Sequence, residues 1–305
     1  MNDNNSCYCP MAFNTTKYFL VPIYSVVIGT GLPLNFLALW VLVSQIKKAV
    51  VLSVFVMNLV VADLLQTLTL PFWIYYSYQD HRWDLGEITC MVVHLIFLTN
   101  FYAKNSFLCL IAAERYLGLV YPLRFHGLQT MRSAATISAA MWMMVIGFCS
   151  LGNWLQNLGP DRCYDCYPQV IKYVRFRWAV LSISFLLPCF FMGFCNIQVL
   201  CKIRQVSSLE QEKKQHMCWF MSFIIISFFL LFLPYQVNFL LKRQMTSPDS
   251  DTCHLEKNFF TYSQVAKSIP TLGNITDPLL YILLLKEGRA ELRNCFRNMV
   301  LRSAS

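Results

Sequence analysis

The chain has 305 residues, of which 56% are hydrophobic, 15% aromatic and only 13% charged, and its mean hydropathy is +0.47. A soluble domain carries roughly a quarter charged residues, so about half the usual charge is missing, which excludes a disordered chain and an ordinary soluble enzyme. The 13 Cys and 12 Pro are spread along the chain, which excludes a small disulfide scaffold and a collagen-like polymer.

The opening MNDNNSC has no basic segment followed by an apolar core, so no cleavable signal peptide is expected and the first span serves as the membrane signal. Residues 1–17 read as a polar tail with glycosylation sequons at Asn4 and Asn14. No charge occurs from Tyr18 to Ile46, from Ser133 to Pro160, from Trp178 to Cys201 or from Gln215 to Leu241. Each gap exceeds the ~20 residues that a helix needs to cross the hydrocarbon core. Three further runs carry only isolated charges: 49–79 with Asp63, 88–113 with Lys104, and 258–285 with Lys267 and Asp277.

The prediction is therefore an all-α membrane protein, a seven-transmembrane helix bundle over 18–285. Runs this long must satisfy their backbone groups internally and lack the alternation of a barrel strand. Residues 286–305 read as a short amphipathic eighth helix and a brief tail. A third sequon, at Asn274, falls inside the seventh span and out of reach of the glycosylating enzyme.

An odd number of spans puts the termini on opposite sides. Of the 25 Lys and Arg, fourteen lie on the side of the C-terminus, nine on that of the N-terminus and two, Lys104 and Lys267, within spans. The positive-inside rule then places the N-terminus outside the cell, with Arg175 and Arg177 working against it. The expected location is the plasma membrane. Cys7, Cys9, Cys90, Cys163, Cys166 and Cys253 share the outer face, and six thiols allow fifteen pairings, among which the sequence does not choose.

Charges inside a membrane usually face an interior or a water-filled cavity, which singles out Asp63, Lys104, Lys267 and Asp277. Lys104 lies eleven residues before Arg115, about three turns away on the same helical face. Glu114 and Arg115 form a charge pair at a membrane edge, where a plain interfacial anchor is the simpler reading. No HExxH, GxSxG or Gly-rich phosphate loop is present, so neither an enzyme nor a bound metal or cofactor is expected, and nothing suggests a nucleic-acid partner. A small-solute transporter is the alternative from another class, but no internal repeat supports it.

The spans also carry motifs in order: Gly31-Leu32-Pro33-Leu34-Asn35; Asn58-Leu59-Val60-Val61-Ala62-Asp63; Cys90 and Glu114-Arg115-Tyr116; Trp142; Pro188; Phe232-Leu233-Pro234; and Asp277-Pro278-Leu279-Leu280-Tyr281. With them the chain resembles a rhodopsin-like (class A) G-protein-coupled receptor over nearly its whole length. Leu70-Pro71-Phe72-Trp73-Ile74, Arg82-Trp83-Asp84-Leu85-Gly86, the stretch from Cys163 to Pro168, Asn196 and the Asp-Pro form of the last motif are similar to the proton-sensing, lysolipid and purinergic branch.

The resemblance implies a disulfide between Cys90 and Cys163, with Cys253 pairing with Cys7 or Cys9 and Cys166 taking the other. It implies G-protein coupling through Glu114, Arg115, Tyr116 and Tyr281, with Arg115 held at rest and released when the sixth helix swings outward. The family's acidic partner at the base of that helix is replaced by Lys213 and Lys214, which favours appreciable basal activity. Asp63 and Asp277 match two carboxylates that hold a sodium ion together with a third-span serine, and Lys104 stands in that serine's place. Lys104 is expected to act as a built-in cation, with snorkelling to another position as the simpler alternative.

The implied ligand pocket comprises His94, Phe97, Phe101, Phe232, Tyr235, Gln236 and Lys267. Phe97 replaces the amine-binding Asp of aminergic receptors, and Phe232 the usual tryptophan of the conformational toggle. An aromatic pocket with one buried cation suits an anionic lipid-like ligand, with Lys242, Arg175 and Arg177 helping at the rim; pairing of Lys267 with Glu256 or Asp165 is the alternative. Proton sensing through His81, His94 and His254 is the rival, weakened because Val145 stands where the acid sensors have a glutamate. A constitutively active receptor is the third reading. Cys295 is a palmitoylation candidate, membrane lipids are expected partners, and Ser303 and Ser305 leave little tail for arrestin, which is expected to bind weakly.

Overall fold

The computed structural model describes residues 9, 11–47, 50–121, 130–156, 162–165, 171–205, 211–245 and 252–284. These fold as seven helices. α1 covers 17–47 as Lys17–Val26, a π turn Val27–Gly31 and Leu32–Lys47. α2 is Leu52–Tyr78, α3 Glu87–Val120 and α4 Met131–Leu155. α5 covers 171–205 as Ile171–Leu181, a π turn Ser182–Leu186 and Leu187–Gln205, and α6 is Gln211–Met245. α7 covers 252–284 as Thr252–Ser268, a 3-10 turn Ile269–Leu272 and Gly273–Leu284. Among the described residues, six helices are long and apolar enough to cross a membrane by composition alone. The seventh has its continuity broken by the 3-10 turn and its apolar character by Lys267 and Asp277.

α3 is the central post and touches α2, α4, α5 and α6. Its face of Phe101, Phe107, Leu108, Ile111 and Ala112 is buried in the main apolar core, whereas Trp40, Met143, Trp154, Phe190 and Leu230 on other helices are exposed, as surfaces turned to lipid are. Lipid tails are as apolar as the core, so close packing and polar cross-links rather than apolar burial hold such helices together. Proline supplies two of the links, because it lacks an N–H and leaves the carbonyl four residues earlier unpaired. Pro188 frees the Ser184 carbonyl, which accepts from Asn105 Nδ2 of α3. Pro278 frees the Asn274 carbonyl, which accepts from Asn35 Nδ2 of α1 at 2.7 Å. Gly31 makes that approach possible: a Cβ there would meet the Asn274 oxygen at 3.0 Å. A third link runs from Trp142 Nε1 to Asn58 Oδ1 at 2.9 Å.

Two helix starts are built locally. Thr130 caps α4 by accepting from Ser133 N at 3.1 Å. Gly86 precedes α3 at φ +85°, a conformation natural only to glycine, and its carbonyl accepts from Trp83 Nε1 at 2.9 Å. The expected eighth helix, with Cys295 and the tail serines, lies outside the described residues, as do Asn4, Cys7 and Cys166.

Candidate functional site

The face carrying the N-terminus is roofed by the segment before α1. Cys9 is bonded to Cys253 at the head of α7, and Cys90 to Cys163 in the loop after α4. Phe13 is buried edge-on against Phe260, 5.1 Å from the His81 ring and under the Arg162 guanidinium at 3.9 Å. The two disulfides thus pin chain on both sides of the entrance. Asn14, in the same segment, is exposed, whereas Asn274 is fully buried.

Asp165 is the hub beneath this roof. Its Oδ2 accepts from His81 Nδ1 at 2.6 Å and from the Tyr76 hydroxyl at 3.1 Å, and its Oδ1 accepts from Gln264 at 3.2 Å. Lys267 Nζ stands 3.7 Å from the same Oδ1. Burial would raise the Asp165 carboxyl, but the Lys267 charge and the His81 contact outweigh it and hold that carboxyl well below the usual carboxylate range. The Lys267 ammonium is therefore answered by Asp165, one of the two partners that the sequence offered.

A cavity of about 80 Å³ lies under this hub, with His94, Phe97, Phe101, Tyr235 and Lys267 in its wall. His94 Nδ1 meets Asn153 Oδ1 at 2.7 Å and its ring stacks on Tyr164 at 4.2 Å. Burial pushes the Tyr164 phenol above its ordinary range. Phe232 sits behind the wall, 5.1 Å edge-to-face under Phe101, and Gln236 is buried on the same helix outside the lining.

Arg177 is the residue whose depth the sequence did not reveal. α5 begins at Ile171, about a turn and a half before it, so the guanidinium is carried from the rim into the bundle, where the residue is only 9% exposed. It donates to the Tyr235 hydroxyl and lies 4.5 Å from the Tyr235 ring centre and 4.8 Å from that of Phe239. Among the described residues, the ion pairs of this face go to Lys17, His81 and Lys267, and none to Arg177. Arg177 and Tyr173 also line a second cavity, of about 460 Å³, bordered by α3, α4 and α5, almost wholly apolar and open on its outer side, where Met144, Ile183 and Leu187 are exposed. Asn105 Oδ1 faces that region without a hydrogen-bond partner among the described residues.

Deeper in the bundle Lys104 is 1% exposed, 3.1 Å from Asp63 Oδ1, with Asp277 on the adjoining turn of α7. At the opposite end, Glu114 and Arg115 are 3.9 Å apart, and the Arg115 guanidinium lies 5.6 Å over the Phe220 ring of α6. Tyr116 packs on Tyr121 and Phe194. Tyr281 is buried, and its hydroxyl has no hydrogen-bond partner among the described residues. His254 meets Asn258 at the start of α7.

Comparison with known proteins agrees with this architecture. The family model described as 7 transmembrane receptor (rhodopsin family) matches residues 34–281. The chain is 29% identical over 285 residues to human probable G-protein coupled receptor 132, covering 92% of this chain and 74% of the relative. It is 27% identical to human G-protein coupled receptor 65 over 293 residues, 92% of this chain and 87% of that one. It is 28% identical to human lysophosphatidic acid receptor 4 over 293 residues, 93% and 78% respectively. With seven helices, the ordered motifs and a family match over most of its length, the chain belongs to the rhodopsin family of seven-transmembrane receptors, multi-pass membrane proteins that are not enzymes.

Proposed function

We propose that this receptor presents its N-terminal face to the cell exterior, binds an amphiphile whose anionic head is held by Arg177, and activates a heterotrimeric G protein at the Arg115 end. The observation that carries the reading is Arg177 itself: a buried guanidinium bonded to a tyrosine and, among the described residues, paired with no carboxylate, in the wall between a small cavity of mixed polarity and a larger apolar one. Buried charges are normally paired, so an anion completes this site. Trp73 Nε1, a donor only, lines the small cavity without a partner among the described residues and suits the same head. The volumes support placing the rest of the ligand in the second cavity: about 80 Å³ suits a head group, whereas about 460 Å³ falls within the usual ~300–1,000 Å³ of ligand sites. Lysophosphatidic acid receptor 4, by its name, is a relative that binds an anionic lysolipid.

The test is nucleotide exchange by purified receptor and G protein against amphiphiles of one chain length bearing phosphate, carboxylate or uncharged alcohol heads. Stimulation by the anionic members alone supports the reading; equal stimulation by the alcohol refutes it.

One observation favours a second reading, proton sensing. The Thr16 hydroxyl donates to the Phe13 carbonyl at 2.8 Å, so it accepts from His81 Nε2 at 2.7 Å, while His81 Nδ1 donates to Asp165. Both ring nitrogens of His81 thus face oxygen atoms. Asp165 from the loop after α4, Thr16 from the N-terminal segment and the Tyr76 and Phe260 rings surround it, and Arg162 lies across Phe13. A flat signalling response between about pH 8 and pH 6 removes this reading.

A further inference from the structure

The resemblance implies a sodium ion between Asp63 and Asp277, and the residues present do not fit one. We propose that Lys104 occupies that place as a tethered ammonium, so that this receptor takes no sodium into its core and is indifferent to it. The proposal concerns the centre of the bundle and does not depend on what the ligand is.

The Lys104 side chain does not snorkel to an interface; its Nζ ends among oxygens from α2 and α7. Gln66 Oε1 is 2.7 Å away, Asn274 Oδ1 2.6 Å, Asp63 Oδ1 3.1 Å and the Pro270 carbonyl 3.4 Å. Asp63, Gln66 and Asn274 are each 0% exposed. An ammonium has three N–H donors and no acceptor, so this oxygen set meets its needs.

The neighbours are aimed by bonds of their own. Asn274 Nδ2 donates to Thr67 Oγ1 at 2.9 Å, and that hydroxyl donates to the Asp63 carbonyl at 2.7 Å, which turns Asn274 Oδ1 toward Lys104. The Pro270 carbonyl is presented by the 3-10 turn Ile269–Leu272. Gly273 leaves the space open: a Cβ there would lie 3.3 Å from Lys104 Nζ and 3.4 Å from Asp277 Oδ2. The ammonium and both carboxyl groups thus share one gap. A sodium ion entering it would compete for the same oxygens beside a fixed charge of its own sign, in a place that water does not reach.

The experiment is thermal unfolding of the full-length purified receptor in sodium chloride and in choline chloride at matched ionic strength, for the wild type and for Lys104→Ser, which restores the family's residue. The wild-type Tm is expected to agree within about 1 °C in the two salts. The Lys104→Ser variant is expected to gain a saturable rise of several degrees with sodium only, as a protein does whose folded state binds the ion. A saturable sodium-dependent rise in the wild type overturns the proposal. So does a folded Lys104→Ser receptor whose Tm ignores sodium. If that variant does not fold, the wild-type comparison alone decides.

Discussion

Replacing Lys104 by Met keeps most of the side-chain volume and removes the charge and its three donors. The oxygens of Asp63, Gln66 and Asn274 that converge on the ammonium would remain fully buried, and those of Gln66 and Asn274 would lose acceptor bonds of 2.7 and 2.6 Å. Breaking a buried ion pair by removing one partner costs about 3–5 kcal/mol, because the other group is left desolvated. At about 2–4 °C per kcal/mol, the Tm should fall by roughly 6–20 °C. Replacing both members by apolar residues is often close to neutral, so Lys104→Met with Asp63→Leu should recover much of the loss. The assay is unfolding of the purified receptor followed by a thiol-reactive fluorophore, which reports the unmasking of Cys149 and Cys195, both free and buried. A Lys104→Met receptor within about 2 °C of wild type, or a double variant no more stable than the single one, would refute the reasoning.

Other expectations follow from single contacts. Phe220→Ala removes the ring under the Arg115 guanidinium, an interaction of about 0.5–2 kcal/mol, and should raise agonist-free nucleotide exchange about twofold to thirtyfold; unchanged basal exchange counts against Arg115 being held by α6. Gly31→Ala places a Cβ 3.0 Å from the Asn274 carbonyl oxygen and should cost about 1–3 kcal/mol in thermal unfolding; a neutral effect shows that α1 and α7 can part there without loss. Asp165 has a folded pKa below its ordinary 3.8, so its contribution to stability is present above that value and is lost as pH falls through the lowered one. The Tm gap between wild type and Asp165→Asn should therefore persist on acidification from pH 7 to pH 5 and shrink only below about pH 4; a gap that closes by pH 6 contradicts this.

Much of the fold could be read because charge is excluded from hydrocarbon, so gaps such as Tyr18 to Ile46 marked helices, and α1 does cover 17–47. The same rule misplaced the start of α5. It took the span from Trp178, but the helix begins at Ile171, since a helix accommodates a charged residue that faces other helices rather than lipid. That error hid the depth of Arg177, and only its aromatic neighbours reveal it. The proximity of Lys104 to Asp63 and Asp277 was legible only through the resemblance, which puts Lys104 in the place of a serine beside those two carboxylates; spacing along one helix relates Lys104 to Arg115 alone. For Lys267 the sequence offered Asp165 and Glu256 without choosing between them, because Asp165 comes from a loop whose course no periodicity describes. The choice of Cys9 over Cys7 for Cys253 likewise depends on how Phe13 seats the N-terminal segment against Phe260.

The central claim is that Arg177, and not Lys267, meets the ligand's negative charge. Binding of an anionic lysophospholipid to the purified receptor should be compared in wild type, Arg177→Gln and Lys267→Gln. A hydrogen bond to a charged group contributes about 1.5–3 kcal/mol, so the account predicts a roughly 10- to 150-fold rise in Kd for Arg177→Gln. It predicts a far smaller change for Lys267→Gln, whose charge Asp165 already answers. Unaltered affinity in Arg177→Gln, or the larger loss in Lys267→Gln, would contradict it.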